Sequence, residues 1–219
     1  MNPIAKRTIS ALTTAALVVL AIVYAPTGWI PPAVWLLMGL AAMEYALLLK
    51  KKVSLLSAKG LLLLVIGLAV IYWGLSALPH VAFWHGNLMM LYLIAIVKIS
   101  DMGGFAAGVS TAKLMKGGNH KMCPAISPNK SWEGLAGSVA ASCILSCCFI
   151  SITHFSCPKA LAFGVTAALV GTFGDLVESK FKRWVGVKDS STFMPAGMGG
   201  LLDMFDSLLF APAVLLSFI

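Results

Sequence analysis

The chain has 219 residues, 59% hydrophobic and 11% charged, with a net charge of +8 and a mean hydropathy of +0.92. A soluble domain carries about 25% charged residues, so this composition excludes a water-facing globular shell. It also excludes disorder, which goes with few apolar residues, and continuous apolar blocks exclude an outer-membrane barrel, whose strands alternate.

The apolar blocks fall at 8–25, 33–49, 61–78, 81–99, 135–153, 160–178 and 201–219. Each is near the ~20 residues that a helix needs to cross a bilayer core. The expected fold is therefore all-α: a polytopic transmembrane helical bundle of about seven spans, forming one integral membrane domain over 1–219. Lys6 and Arg7 before the first block resemble a signal peptide, but 21–25 makes a poor cleavage site, so the block is expected to stay as the first span.

Basic residues alternate between the connections. They occur before residue 8 and in 50–60, 100–134 and 179–200, whereas 26–32 and 79–86 have none and 154–159 has only Lys159. By the positive-inside rule the N-terminus faces the cytoplasm and the C-terminus the outside. The basic residues suit anionic head groups and phosphate ligands, so nucleic acid is not an expected partner. Residues 101–115 are apolar enough to enter the membrane, yet a full crossing would break the alternation, so a half-inserted helix is expected there. Within it Gly104 and Gly108 have the spacing of a close helix contact. The five cysteines form no CxxC pair, and Cys143, Cys147 and Cys148 lie in one apolar block, where small buried thiols are expected rather than a metal or redox role.

The eight carboxylates carry more information. Asp175 and Glu178 are three residues apart, as are Asp203 and Asp206, so each pair shares a helix face. Two such pairs at the cytoplasmic ends of two spans make a set of hard oxygen ligands suited to magnesium with substrate phosphates. Lys180, Lys182, Arg183 and Lys188 lie between them as phosphate-holding cations. Together these are the parts of phosphoryl or nucleotidyl transfer. The same carboxylates would equally serve as intramembrane ion pairs or line a proton or cation pathway. The loop 117–134 adds Ser127, Lys130, Ser131 and Glu133 before a helix start, a natural place for phosphate and equally an ordinary capping segment. His120 lies inside it. Glu44, alone in the second span, reads as a packing hydrogen bond or a site residue.

At these residues the sequence resembles a known family. Ser179-Lys-Phe-Lys182-Arg183-Trp-Val-Gly-Val-Lys188-Asp189-Ser190, followed by Gly199-Gly200-Leu-Leu-Asp203-Met-Phe-Asp206-Ser207, is similar to the C-terminal signature of phosphatidate cytidylyltransferases, the membrane enzymes that make CDP-diacylglycerol. Ser127-Pro-Asn-Lys130-Ser131-Trp132-Glu133-Gly134, Gly174-Asp175-Leu-Val-Glu178-Ser179 and Lys98-Ile-Ser-Asp101-Met-Gly-Gly-Phe-Ala-Ala-Gly108 match in the same order, so the resemblance covers about 98–210. It departs from the usual His-Gly-Gly-x-x-Asp-Arg-x-x-Asp: Met198 and Met204 stand for the histidine and arginine, and Pro195 lies one residue further from the glycines.

The resemblance implies transfer of a cytidylyl group from CTP to phosphatidate, with 1–97 as N-terminal spans and 98–219 as the catalytic half. It implies catalysis by Asp175, Lys182, Asp203 and Asp206, and magnesium on Asp175, Asp203, Asp206 and Glu178. Substrate phosphates would meet Ser127, Lys130, Ser131, Arg183, Lys188 and Asp101, with Ser127 and Ser131 also open to a second cation. The expected partners are CTP, phosphatidate, membrane lipids and a second copy in a homodimer. A CTP-dependent polyprenol or phytol kinase is the rival in the same class, and a secondary transporter the rival in another.

Overall fold

The computed structural model describes residues 19–115, 118–188, 190 and 200–219. Lys6, Arg7, most of the first expected span, Lys116, Asp189, Pro195, Met198 and Gly199 lie outside the described residues.

A helical segment α1 (19–24) and a 3-10 turn, Thr27–Trp29, precede α2, Ile30–Lys50. Pro31 and Pro32 in its first turn start α2, where their missing N–H groups cost nothing. Ser57 caps α3, Ala58–Leu75, by accepting the Gly60 N–H at 3.0 Å. α3 continues almost unbroken into α4, Ala77–His85. There is no aqueous loop at 79–86, and the turn comes instead at Gly86, whose φ of 85° is open to glycine.

α5 then runs through Asn87–Leu114 as a single helix. The expected half-inserted helix at 101–115 is thus the second half of α5, and the alternation of basic loops survives because there is only one crossing. At 1.5 Å per residue its 28 residues reach about 42 Å, longer than the ~30 Å core, so one end projects from the apolar layer. Its glycines do not break it because they meet the next helix. A Cβ on Gly104 would collide with the Ser138 hydroxyl, and one on Gly137 with the Ala107 methyl and the Gly103 carbonyl.

The segment 117–134, expected as an open loop, contains an antiparallel hairpin of β1, Lys121–Cys123, and β2, Ser127–Ser131. α6, Trp132–Cys148, follows, capped by Ser131, and then the one-turn α7, Ile150–Thr153. α8, Cys157–Val185, closes at Gly186, φ 89°. The last block is broken: α9, Leu201–Phe205, and α10, Ala211–Leu215, alternate with 3-10 turns Asp206–Leu208 and Leu216–Phe218.

Among the described residues five segments are long and apolar enough to cross a membrane: 30–50, 58–85, 87–114, 157–185 and 201–218. α6 is shorter, 17 residues and about 26 Å. The chain is an all-α, polytopic integral membrane protein. Its centre is polar as well as apolar, as suits helix packing where lipid is as apolar as leucine. Tyr92 stacks between Phe149 and Phe163 with ring centroids 5.3 Å from each, and its hydroxyl lies 2.8 Å from Ser146 Oγ. Ser138, Ser142 and Ser146 form a buried stripe along α6, and Ser142 Oγ reaches the Gly164 carbonyl of α8 at 2.9 Å.

The α5–α6 contact generates a first prediction. Gly137→Leu is expected to lower stability by about 1–3 kcal/mol through overpacking, read as a reduced melting temperature in detergent. Gly39→Leu, on the open face of α2 where a Cβ meets nothing within 4 Å, should melt at or above the parent temperature.

Candidate active site

Charged groups on α5, β2, α8 and the turn after α9 meet at one end of the bundle. Lys98 and Asp101 stand one turn apart on α5. The Lys98 ammonium donates to the Met204 carbonyl at 2.9 Å and to Ser207 Oγ at 3.0 Å, and lies 3.7 Å from Asp206 Oδ1. Asp206 opens the 3-10 turn and accepts from the Ser207 N–H at 2.5 Å. Asp101 faces Ser207, with Lys98, Lys130 and Asp175 as charged neighbours. Lys130, from β2, pairs with Asp175 Oδ2 at 2.6 Å, while Ser179 donates to Asp175 Oδ1 at 3.2 Å. Three carboxylates and two lysines therefore share one space.

A second cluster lies beside it. Lys182 sits 2.5 Å from Asp203 Oδ1 and 2.6 Å from Glu178 Oε2. The bond to Asp203 is aligned, whereas the contact with Glu178 is an ion pair whose geometry does not make a hydrogen bond. Glu178 is 2% exposed, and its Oε1 has no partner among the described residues. Asp203 Oδ2 accepts the Ser190 N–H at 3.0 Å and the Gly200 N–H at 2.8 Å. Glu44, fully buried on α2, accepts the Leu202 N–H at 2.8 Å. Gly200 is required here, since a Cβ would run into the Glu44 carboxylate and the Ser190 hydroxyl.

The four carboxylates expected as one cage thus divide. Asp175 and Asp206 belong to the first cluster, Glu178 and Asp203 to the second. Lys182 bridges carboxylates, and the expected neighbour Lys180 lies on the other face of α8, where it lines an apolar cavity of about 280 Å³ with Tyr45, Leu49, Leu63, Val177, Phe181 and Trp184. Arg183 is exposed and donates to the Val187 carbonyl at 3.3 Å, beside exposed Lys188. Ser131 accepts the Gly134 N–H at 3.1 Å as the α6 cap, with the Asn119 amide 3.3 Å away, and Ser127 sits at the far end of β2 opposite Cys123. His120 Nδ1 lies 2.6 Å from Glu133 Oε1. That contact, with the His120 backbone N–H at 3.1 Å, holds the carboxyl of Glu133, in the first turn of α6, down at about 2.

Lys98, Ser190 and Ser207 are site residues that carried no assignment from sequence. Lys98 had a signal, being a cation inside an apolar block three residues before Asp101. Ser190 and Ser207 stand in the matched signature, but their roles depend on tertiary contacts.

The donors suit a hard divalent cation. Among the described residues no three His, Cys, Asp or Glu side chains converge as a ready metal site. Magnesium, however, is bound through one or two carboxylates plus water and substrate phosphates, a demand that Asp175 and Asp206 meet.

The whole chain, residues 1–219, matches the model of the cytidylyltransferase family. Among similar proteins, a phosphatidate cytidylyltransferase of Staphylococcus aureus is 43% identical over 123 residues, covering 55% of this chain and 45% of that one. One of Staphylococcus haemolyticus is 36% identical over 176 residues, 79% and 63% of the two chains. A third, from Haemophilus influenzae, is 37% identical over 134 residues, 57% and 43%. The aligned region thus spans 43–63% of the length of these relatives.

Removing one partner of a buried ion pair costs about 3–5 kcal/mol because the other charge is left uncompensated. Lys182→Met is expected to destabilise on that scale, measured by denaturant unfolding in micelles. Adding Glu178→Gln should recover part of the loss, as a neutral amide then faces Asp203. A Lys182→Met chain as stable as the parent would show that the triad holds nothing together.

Proposed function

The chain belongs to the cytidylyltransferase family, and on that premise we propose that it transfers the cytidylyl group of CTP to phosphatidate, giving CDP-diacylglycerol and pyrophosphate. The observation that carries the reading is the meeting of Lys98 and Lys130 with Asp101, Asp175 and Asp206 at one end of the bundle. The names of the similar proteins support the choice of substrates.

In this reading a phosphate oxygen of phosphatidate attacks the α-phosphorus of CTP in line. The new P–O bond forms as the bond to the β-phosphate bridging oxygen breaks, and the electron pair leaves with pyrophosphate. Phosphatidate is ionised at neutral pH, so no strong base is needed. Lys98 and Lys130 hold phosphate oxygens and offset the charge that builds at the α-phosphate. Arg183 and Lys188, exposed at the rim, guide the triphosphate inward. Lys182 acts as a positioning residue, holding Asp203 and through it the backbone at Ser190 and Gly200.

Magnesium would be held by Asp175 and Asp206 and would supply further charge neutralisation at the transferring phosphate. Asp203 and Glu178, also expected as ligands, have oxygens engaged by Lys182. Charge favours the cation: three carboxylates and two lysines leave a formal net of −1, which would repel a triphosphate. A divalent ion reverses that sign. Met204, standing where the family motif has arginine, has its carbonyl bound by Lys98, so a cation is already beside that position.

The remaining expectations fit the same reading. The charged end faces the cytoplasm of a bacterial cell at the plasma membrane, where CTP is found, and phosphatidate enters from the adjoining leaflet. The expected assembly is a homodimer, read from the mass of the solubilised particle.

The test uses purified chain in detergent with CTP labelled in the cytidine ring, phosphatidate and magnesium. Label should move into the lipid phase. Asp206→Asn and Lys98→Met should each cut transfer roughly 10²–10³-fold, the scale for losing one electrostatic contact to a transition state, while Lys113→Met at the far end of α5 should not. Label that stays in the aqueous phase would overturn the assignment.

A further inference from the structure

The end of α8 away from the charged site carries thiols that cytidylyl transfer does not use. α6 and α8 are neighbours in the bundle, joined by the short α7 connection. Two contacts set their antiparallel register: Ser142 Oγ to the Gly164 carbonyl at 2.9 Å, and the Cys143 thiol to the Leu161 carbonyl at 3.7 Å. One turn onward in α6 and one turn back in α8, that register places Cys147 opposite Cys157. Cys157 is the thiol neighbour of Cys147 across the two helices. Cys157 is exposed, and Cys147 is half-buried where a buried thiol was expected. Cys143, on the same face of α6, is turned to the Leu161 carbonyl, and Cys148 is exposed on the next position. Among the described residues no three ligating side chains converge, so the arrangement is a pair of sulfurs and not a metal site.

We propose that Cys147 and Cys157 are a reversible thiol–disulfide pair that links α6 to α8 at the end opposite the charged site. Eighteen residues of helix separate Cys157 from Asp175, about 27 Å along the axis. The oxidant is a disulfide, R–S–S–R, of a small thiol or a protein. The exposed Cys157 thiolate attacks one sulfur of R–S–S–R, forming a mixed disulfide and releasing RS⁻. The Cys147 thiolate then attacks Cys157 Sγ, the bond from Cys157 to R breaks, and a second RS⁻ leaves. The protons of the two cysteines end on the two released thiolates. Two cysteine thiols lose two electrons and one oxidant disulfide gains them. The connection 149–156 lies on the side poor in basic residues, which in the orientation proposed above is the oxidising side of the membrane. The pairing itself rests on geometry and does not depend on the proposed activity.

The full chain in detergent is incubated with oxidised glutathione, quenched in acid, unfolded in SDS and labelled with a polyethylene-glycol maleimide. The reduced chain should carry five adducts, one for each cysteine. The oxidised chain should carry two fewer, with all five restored by dithiothreitol. Cys157→Ser should lose no adducts on oxidation and Cys147→Ser at most one, to the unresolved mixed disulfide at Cys157, whereas Cys143→Ser and Cys148→Ser should still lose two. Peptide mapping of the oxidised parent should show a bond between Cys147 and Cys157, a readout that needs no variant to fold. An adduct number unchanged by oxidation, or a bond involving Cys143 or Cys148, would overturn the proposal.

Discussion

An ammonium group shared between carboxylates at the end of a helix bundle is the constraint on which this structure turns. A buried charge without a partner costs several kcal/mol, so each acidic residue drawn into the bundle must bring a cation or a donor with it. Lys182 meets that demand for both Glu178 and Asp203. Asp203 in turn binds the backbone of Ser190 and Gly200, and the next residue but one, Leu202, donates to Glu44. A single lysine thereby fixes the start of α9 against α8, and Glu44 fixes it against α2. That lock and the Lys98 bonds to Met204 and Ser207 together set where Asp206 stands one turn later.

Asp203 and Asp206 differ in how completely they are satisfied, and the difference separates positioning from chemistry. Asp203 has both oxygens engaged, by Lys182 and by two backbone N–H groups. Among the described residues Asp206 has a 3.7 Å approach from Lys98 and one backbone donor, while Asp175 holds Lys130 through one oxygen and Ser179 through the other. Phosphates bring negative charge and lysine-binding oxygens, so they can replace carboxylates as partners of Lys98 and Lys130 without leaving either ammonium bare. Lys98 and Lys130 can exchange partners in this way, whereas Asp203 is held on both oxygens.

Much of this was legible in the order of residues. Apolar blocks, basic loops and the rarity of acids located the bundle and pointed to Asp101, Asp175, Asp203 and Asp206. The grouping of the acids was not legible. Spacing of three residues puts Asp175 and Glu178 on one face, yet they stand about 60° apart around the axis, enough for one to meet Lys130 and the other Lys182. Asp203 and Asp206 diverge for a further reason, because the helix changes to a 3-10 turn between them. The place of the turn within 79–86 has the same character: hydropathy put the break at 79–80, while it comes at Gly86 through the backbone conformation of one glycine. The hairpin was hidden because strands this short, with Pro128 and Asn129 in one of them, carry no periodic signal.

The shortness of α6 explains how a water-facing segment reaches the site at all. α5 and α8 each run close to 30 residues, while α6 has 17. The turns that α6 lacks are replaced at the charged end by the β1–β2 hairpin. Asn119 ties it to the Gly108 carbonyl of α5 at 2.7 Å, and His120 and Ser131 tie it to the first turn of α6. A helix continued through those positions would satisfy its own backbone and present only side chains at helical spacing. A hairpin places Lys130 on a strand that crosses the bundle end, from which it reaches Asp175 at 2.6 Å. Close packing of α5 on α6 through glycines and small residues makes this possible, since it brings the start of α6, and the strand that feeds it, against the side of α5 that carries Gly104 and Gly108. Helix length and glycine packing, neither of which touches a phosphate, thereby place one of the two lysines of the site.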